Sequence, residues 1–119
     1  MQTLIIIWQP NANWNSLGEI EKRDYLKNLN NAVNAARSNG LMTLGWSKID
    51  NSLNKAPAEG FVGVFAVSNS EQIHELEKNI SASGWYDYFD STNVSINPQG
   101  GTNPEPGQEY ARLLGINLN

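Results

Sequence analysis

Residues 84–90 hold the densest group of chemically useful side chains in this chain. Within seven positions the sequence combines four aromatic rings with two carboxylates: Trp85, Tyr86, Asp87, Tyr88, Phe89 and Asp90. Rings of this kind can wall an apolar pocket, and hydroxyl and carboxylate groups can bind or transfer a proton. Tyr86, Asp87 and Asp90 are therefore candidate acid–base groups, and Trp85 and Tyr88 candidate ligand contacts. In the alternative interpretation, the rings anchor the core or a dimer interface and the carboxylates occupy exposed turns.

His74 is the only histidine and the only side chain whose ordinary pKa lies near neutrality. The helical pattern places it beside Ile73, at the edge of the buried stripe or outside it. It is a candidate catalytic base if it turns inward and a surface residue if it does not. One histidine with surface glutamates rarely forms a specific metal site, and the chain has no cysteine. We therefore predict no metal and no cofactor.

Further aromatic residues occur where a pocket mouth is expected. Trp8 and Trp46 lie near the ends of two predicted strands, Trp14 follows the first strand, and Tyr25 lies on the apolar stripe of the first helix. A pocket lined by such rings would suit a hydrophobic or cyclic ligand. Tryptophans are also common interface anchors, so a purely structural role remains the alternative.

Composition and motifs exclude several classes of function. The net charge of −4 and the pI of about 4.8 offer no electrostatic footprint for nucleic acid or for anionic lipid. The nucleophile elbow of serine hydrolases, the phosphate-binding P-loop, the dinucleotide fingerprint and the zinc-protease pair are all missing from the sequence. The first apolar run is too short to span a membrane and lacks a signal-peptide pattern, so we expect a cytoplasmic protein.

The elements that must position these residues follow from periodicity and capping. Strands are predicted at 3–8, 41–49 and 61–68, and a fourth within 85–97, around Val94 and Ile96. A helix with Ser16 and Glu19 at capping-box spacing is predicted over 16–39. Its apolar stripe comprises Tyr25, Leu26, Leu29, Ala32, Val33 and Ala36. Leu17 and Ile20 lie off this stripe, so the first turn is either a separate short element or covers something else.

A second helix is expected from a cap at Ser68 or Asn69 to a stop at Gly84. Ile73, Leu76 and Ile80 form its buried edge. After Pro98, residues 99–107 have the composition of a loop, and residues 108–114 are predicted to form a short helix. We therefore divide the chain into a domain over residues 1–98 and a C-terminal loop and helix over residues 99–119, which can pack on a partner subunit.

This order, β-α-β-β-α-β, predicts a ferredoxin-like α+β domain with a four-stranded antiparallel sheet and two helices on one face. The strands are apolar at both odd and even positions. In the second strand, Met42, Leu44 and Trp46 are expected to share one face. Because one helix layer covers only one face of the sheet, we predict a homodimer through the open face. The pattern alone does not say which parity meets the helices.

The element order, the two-faced strands and the closing stretch from Tyr88 to Pro98 resemble the dimeric α+β barrel superfamily. That superfamily includes the muconolactone isomerase, YCII-related and antibiotic-biosynthesis monooxygenase groups. The resemblance covers residues 1–98 and implies two ferredoxin-like sheets packed face to face, with a small-molecule pocket between each sheet and its helices. It assigns no catalytic residue. Two functions are therefore expected: a small-molecule-binding protein or cofactor-independent enzyme with an aromatic pocket, or a non-catalytic dimeric interaction module.

Overall fold

The computed structural model describes residues 1–98 and 105–118 of the 119-residue chain. It is an α+β fold with one four-stranded antiparallel sheet in the order β2-β3-β1-β4. The strands are β1 (Gln2–Pro10), β2 (Met42–Lys48), β3 (Phe61–Val67) and β4 (Phe89–Ile96). The helices are α1 (Ala12–Asn15), α2 (Glu19–Ser38), α3 (Ser70–Ala82), α4 (Trp85–Tyr88) and α5 (Pro106–Leu114). The predicted strands and the two long helices are all present.

Strand β1 is central, and its even-numbered side chains form the floor of the core. Leu4 and Ile6 are only 2% and 6% exposed. Side chains from both long helices reach this same layer: the core consists of Leu4, Ile6, Leu41, Phe65, Val67 and Ile73, with Trp8, Val33, Ala36, Leu76 and Ile80 packed against it. Helices α2 and α3 therefore cover one face of the sheet, and the parity left undecided by the sequence is settled.

The opposite side of the sheet is apolar as well, and we call it the open face. Its apolar part is formed by odd-numbered residues of β1 and the residues in line with them on the other strands: Thr3, Ile5, Ile7, Met42, Val62, Val64, Ala66, Thr92, Val94 and Ile96. At one end the same side carries the polar pair Gln9 and Asp90. At its centre Ile5 lies between Val64 on β3 and Val94 on β4. Val94 and Ile96 are 38% and 39% exposed, in contrast to the buried residues under the helices. Both faces of β1 are thus apolar, but only one is covered by helices.

A β-bulge in β2 overturns one prediction. Met42 and Trp46 were expected on the same face, but the register shifts between Thr43 and Gly45. As a result Met42 pairs with Ala66 on the open face, whereas Trp46 pairs with Gly63 on the helix-covered face. An inserted residue moves all later side chains of the strand to the opposite face. A prediction that assigns alternate residues to alternate faces does not detect such an insertion.

The start of the first long helix also differs from prediction. Ser16 does not cap it; its hydroxyl donates to the Asn13 carbonyl at 2.9 Å and closes the short helix α1. Helix α2 begins three residues later, where the Gly18 N–H donates to Glu21 Oε1 at 3.2 Å. The pair that caps α2 is therefore Gly18 and Glu21, two residues after the predicted pair Ser16 and Glu19, because the turn before it forms a separate helix.

The remaining boundaries are close to those expected. Asn69 caps α3 by accepting from the Gln72 N–H at 3.0 Å, and Gly84 after its end adopts a left-handed φ of 84°. The fourth strand begins only at Phe89, because the residues before it form α4. Helix α5 begins at Pro106, two residues earlier than predicted, and the rest of the predicted loop, residues 99–104, lies outside the described residues. In the part of the chain that the structure describes, no helix is long and apolar enough to cross a bilayer.

Candidate functional site

Seven aromatic side chains form one continuous group at the end of the sheet where β1 leaves it, and we call this group the aromatic cluster. It comprises Trp8, Trp14, Tyr25, Phe61, Trp85, Tyr88 and Phe89. Neighbouring ring centroids lie between 4.1 Å (Trp85 and Phe89) and 6.3 Å (Trp8 and Phe89) apart. These are ordinary distances for stabilising tilted and edge-to-face contacts. Five of the six aromatic residues predicted to bind a ligand belong to this cluster; the exception is Trp46.

Hydrogen bonds from the turn after β1 hold the cluster in place. The side-chain amides of Asn11 and Asn13 both donate to the Asp87 carbonyl at 3.0 Å, and the Asn11 N–H donates to the Tyr88 carbonyl at 2.9 Å. Helix α1 is thereby tied to α4, and Trp14 is carried against Tyr88. The asparagine-rich turn after β1 therefore has a definite structural role in assembling the cluster.

A small apolar cavity adjoins the cluster, between the sheet and helices α2 and α3. Its volume is about 50 Å³. Its lining residues are Ile6, Trp8, Leu29, Val33, Leu41, Trp46, Phe65, Leu76, Ile80, Ser83 and Trp85. Three tryptophans predicted as ligand contacts thus share this cavity, and Ser83 is the only lining residue with a polar side-chain group besides the indole nitrogens. None of these lining residues carries an acidic or basic side chain.

Trp46 forms the outer wall of the cavity. Its side chain is 51% exposed, and its ring meets Phe65 edge to face at 4.8 Å. The ring lies across Gly63, where a Cβ would come within 2.9 Å of two indole carbons. The glycine and the bulge in β2 together make room for the indole over the sheet. On the inner side, Trp85 Nε1 donates to Ser91 Oγ at 2.8 Å, which fixes that ring.

Tyr25 lies in the cluster with a buried hydroxyl group. Burial raises its pKa above the ordinary value, and the nearby Ser83 hydroxyl opposes this only in part. No described residue forms a hydrogen bond of good geometry with Tyr25 Oη. Tyr86 lies outside the cluster, where its Oη donates to Glu77 Oε1 at 3.0 Å and accepts from Asn93 Nδ2 at 2.7 Å. Burial raises the pKa of Tyr86 as well.

The candidate acid–base residues are not brought together. His74 is exposed on α3. Asp87 is exposed on α4, and Asp90 pairs with Gln9 across the open side of the sheet. None of the three lines the apolar cavity. The described residues also contain no group of three or more acidic or histidine side chains placed to hold a metal ion.

Two parts of this region were not predicted from the sequence. Phe61 and Phe89 belong to the cluster because Trp8 pairs with Phe61 across the sheet and Phe89 stacks on Trp85. Only the strand register shows these contacts, although Phe89 stood within the aromatic segment. A separate open cleft of about 510 Å³ lies where the connection between β2 and β3 meets the end of β1, and Gln9, Asn15, Lys48, Asn51 and Glu59 are among its lining residues.

The fold is similar to that of a solved plant protein. The crystal structure of At3g17210 from Arabidopsis thaliana matches with a TM-score of 0.59 at 11% identity, over 87% of this chain and all of that one. The solution structure of the Arabidopsis thaliana protein with the same designation matches with a TM-score of 0.48 at 10% identity, over 86% of this chain and 91% of that one. These likenesses concern the fold alone.

Comparison at the level of sequence identifies a family. No curated protein matches the chain. A family model described as a family of unknown function, DUF6616, matches residues 1–103, which include the whole sheet, the aromatic cluster and the apolar cavity. The chain is a member of the DUF6616 family.

Proposed function

We propose that this protein binds a small apolar, cyclic molecule in the cavity between its sheet and helices α2 and α3. The observation that carries the proposal is the cavity wall, where Trp8, Trp46 and Trp85 meet aliphatic side chains. Such a surface favours flat or cyclic apolar ligands, because its one hydroxyl, that of Ser83, already donates to the Ile80 carbonyl at 2.6 Å. The aromatic residues expected from the sequence to line a pocket support the same proposal, because Trp8, Trp46 and Trp85 are among the lining residues.

Binding is favoured over catalysis by the chemistry of the same wall. Acid–base catalysis needs a titratable group within hydrogen-bond reach of the reacting atom. The described lining residues include no carboxylate, histidine or lysine, and His74, Asp87 and Asp90 lie elsewhere. We therefore place the protein among ligand-binding proteins rather than enzymes.

The size of the cavity restricts the ligand. About 50 Å³ exceeds the roughly 10–15 Å³ that one water needs, but lies far below the roughly 300–1,000 Å³ typical of pockets for drug-sized molecules. A methyl or other small alkyl end of a molecule fits this volume as it stands, whereas an aromatic ring does not, since benzene occupies an apolar cavity of about 150 Å³. A bulkier ligand requires the half-exposed Trp46 to turn outward.

The second part of the proposal concerns assembly. The strand order and the two helices over one face agree with a ferredoxin-like subunit, and the apolar open face supports pairing of two such subunits as a dimeric α+β barrel. Val94, Ile96 and Met42 on this face are 38–51% exposed, which is costly for a monomer. A dimeric interaction module without a ligand is the alternative function, and it rests on this face alone.

The cavity can be tested by filling it. We expect saturating toluene or indole to raise the unfolding temperature of the protein, because a ligand that binds only the folded state stabilises it. Val33→Phe, which places a ring in the cavity, should abolish this shift. Leu26→Phe is the matched control, since Leu26 is on the same helix but is 48% exposed and does not line the cavity. Absence of any shift in the unmodified protein, or an equal shift in Val33→Phe, would refute ligand binding at this site.

A further inference from the structure

We propose that helix α5 is an arm that docks on the second copy of the chain, with its apolar side chains packed beside Met42 of the partner subunit. This inference rests on the homodimer proposed above. It assigns the helix a role in assembly and names the surface that receives it.

The side chains of α5 and the residues after it provide the first evidence. Five large apolar residues are each 57–71% exposed: Tyr110, Leu113, Leu114, Ile116 and Leu118. The first three have the spacing i, i+3 and i+4, so they share one face of the helix. Exposed apolar groups of this density indicate a contact surface.

The rest of α5 is mixed in character. Ala111 is buried, at 7% exposed. Arg112 Nε donates to Glu109 Oε2 at 2.7 Å; Arg112 lies on the side away from Tyr110, and Glu109 lies one turn before Leu113, at the edge of the apolar face. Gly115 ends the helix with a left-handed φ of 71°, and the Ile116 N–H donates back to the Ala111 carbonyl at 2.8 Å. This closing motif continues the apolar side past the helix end. Helix α5 is therefore amphipathic, and among the described residues it has no extensive contact with another element.

Helix α5 lies outside the part of the chain that matches the family model. The family model ends at residue 103, before α5 begins at Pro106. The core under α2 and α3 contains no residue of α5. Helix α5 thus lies outside the core of the family domain, and Tyr110, Leu113 and Leu114 on its apolar face remain exposed.

The position of β4 directs the arm toward a second copy. Ile96, at the end of β4, belongs to a row across the open face that continues through Thr3 and Ala66 to Met42 on the opposite edge. If two open faces stack about a twofold axis parallel to the strands, this row meets its own copy in reverse. Ile96 of one subunit then lies against Met42 of the partner subunit.

The connection is long enough for this arrangement. Stacked sheets lie about 10 Å apart. The ten residue steps from Ile96 to Pro106 can span at most roughly 33–36 Å when extended. A groove of about 330 Å³ beside Met42 can receive leucine side chains; it is lined also by Met1, Gly40, Ala66, Val67 and Ser68.

The area of the open face is smaller than the area that a stable dimer interface usually buries. Four strands spaced about 4.8 Å apart and seven residues long at about 3.3 Å each cover roughly 440 Å² in plan. Side-chain relief adds to this value, but two twisted sheets touch mainly along a central band. A standard stable interface buries about 800 Å² on each partner. Helix α5 supplies additional apolar area at the edge of the face.

Disulfide trapping tests the proposal without background, because the chain contains no cysteine. A mixture of full-length Leu113→Cys and Met42→Cys chains should form a covalent dimer on mild oxidation. Leu53→Cys is the control for Met42→Cys, since Leu53 is 68% exposed in the connection between β2 and β3. Paired with Leu113→Cys, it should give no more cross-linking than random collision.

The outcomes separate the two proposals. A protein that is monomeric by light scattering at micromolar concentration overturns both the homodimer and the arm. A dimer in which Leu113→Cys fails to cross-link with Met42→Cys, or a double variant that closes only within one chain, overturns the arm alone. A second measurement uses a double variant. The protein with both Leu113→Ser and Leu114→Ser should have a dimer dissociation constant raised roughly tenfold or more, because two leucines lose burial. Arg112→Gln on the polar side should leave it unchanged.

Discussion

Two tyrosine hydroxyl groups occupy contrasting environments in this protein. Tyr86 Oη both donates and accepts, linking Glu77 on α3 to Asn93 on β4. Tyr25 Oη is buried and has no hydrogen-bond partner of good geometry among the described residues. A buried polar group without a partner costs about 1–3 kcal/mol, whereas a satisfied one contributes about 1 kcal/mol. Loss of the hydroxyl should therefore have opposite effects at the two sites.

We predict that Tyr25→Phe leaves the free energy of unfolding unchanged or raises it by up to about 1 kcal/mol at pH 7. Tyr86→Phe, the matched control, should lower it by about 1 kcal/mol, because Glu77 and Asn93 each lose a partner. Urea denaturation of both variants measures the difference. A Tyr25→Phe variant that is less stable than Tyr86→Phe would show that the Tyr25 hydroxyl is satisfied in solution.

The same substitution should change the response to alkaline pH. Burial raises the pKa of Tyr25, so the folded state holds its proton at a pH where the unfolded chain has released it. Stability from this group is complete below about pH 10, the ordinary value, and is lost as the pH rises through the higher folded pKa. Unfolding measured from pH 8 to 11 should therefore decline less steeply in Tyr25→Phe than in the unmodified protein. Parallel curves would contradict this.

Residue type and position along the chain were enough to predict which aromatic residues lie together, but not whether the nearby carboxylates face them. Trp8, Trp85 and Tyr88 were predicted from their types and positions, and the structure places them together. The acid–base role proposed for Asp87 and Asp90 rested on closeness along the chain. The two lie at different elements, one on α4 and one on β4, and spacing along the chain does not report distance in space.

Helices and strands were predicted correctly where the pattern of apolar residues repeats regularly over several residues. The four strands and helices α2 and α3 follow from apolar repeats that depend on local geometry. The bulge in β2 was missed because it depends on pairing with β3, where Gly63 leaves room for the Trp46 ring. The parity of β1 was likewise undecidable, because both of its faces are apolar and only the helix packing distinguishes them.

The bulge leads to a prediction about two glycines. Gly63→Ala places a methyl group 2.9 Å from Trp46 Cε3 and Cζ3 and 3.1 Å from Phe65 Cε2. We expect it to lower the free energy of unfolding by about 1–3 kcal/mol, the usual effect of overpacking, and to change the fluorescence of Trp46. Gly45→Ala is the matched control, because its new methyl group meets nothing within 4 Å. Equal effects of the two substitutions on unfolding would show that Trp46 does not rest on Gly63.

Across the whole molecule, burial is uneven: one region is tightly packed, whereas the region under α2 and the open face are less buried. The core lies between β1, β3 and α3, and Ile73 on α3 is buried. Helix α2 lies over the same face, but none of its 20 residues is fully buried, and the apolar cavity lies beneath it. The open face is apolar and only partly covered. A ligand under α2 and a second subunit on the open face would complete the burial that the subunit alone leaves unfinished.

The assembly is tested most directly at the centre of the open face. Val64 pairs with Ile5, and its side chain points away from the helices. A lysine there should retain the fold of the subunit, because the ammonium group can remain in water when the subunit is alone. In a dimer the same charge would be buried without a partner, at roughly 3 kcal/mol or more, so Val64→Lys should raise the dimer dissociation constant by about 100-fold. Leu53→Lys, an equally drastic change at a residue that is 68% exposed outside the sheet, should leave it unaltered. Analytical ultracentrifugation measures the dissociation constants, and circular dichroism confirms that the variants are folded. If the Val64→Lys protein sediments as a dimer at the same concentrations as the unmodified chain, the interface lies elsewhere.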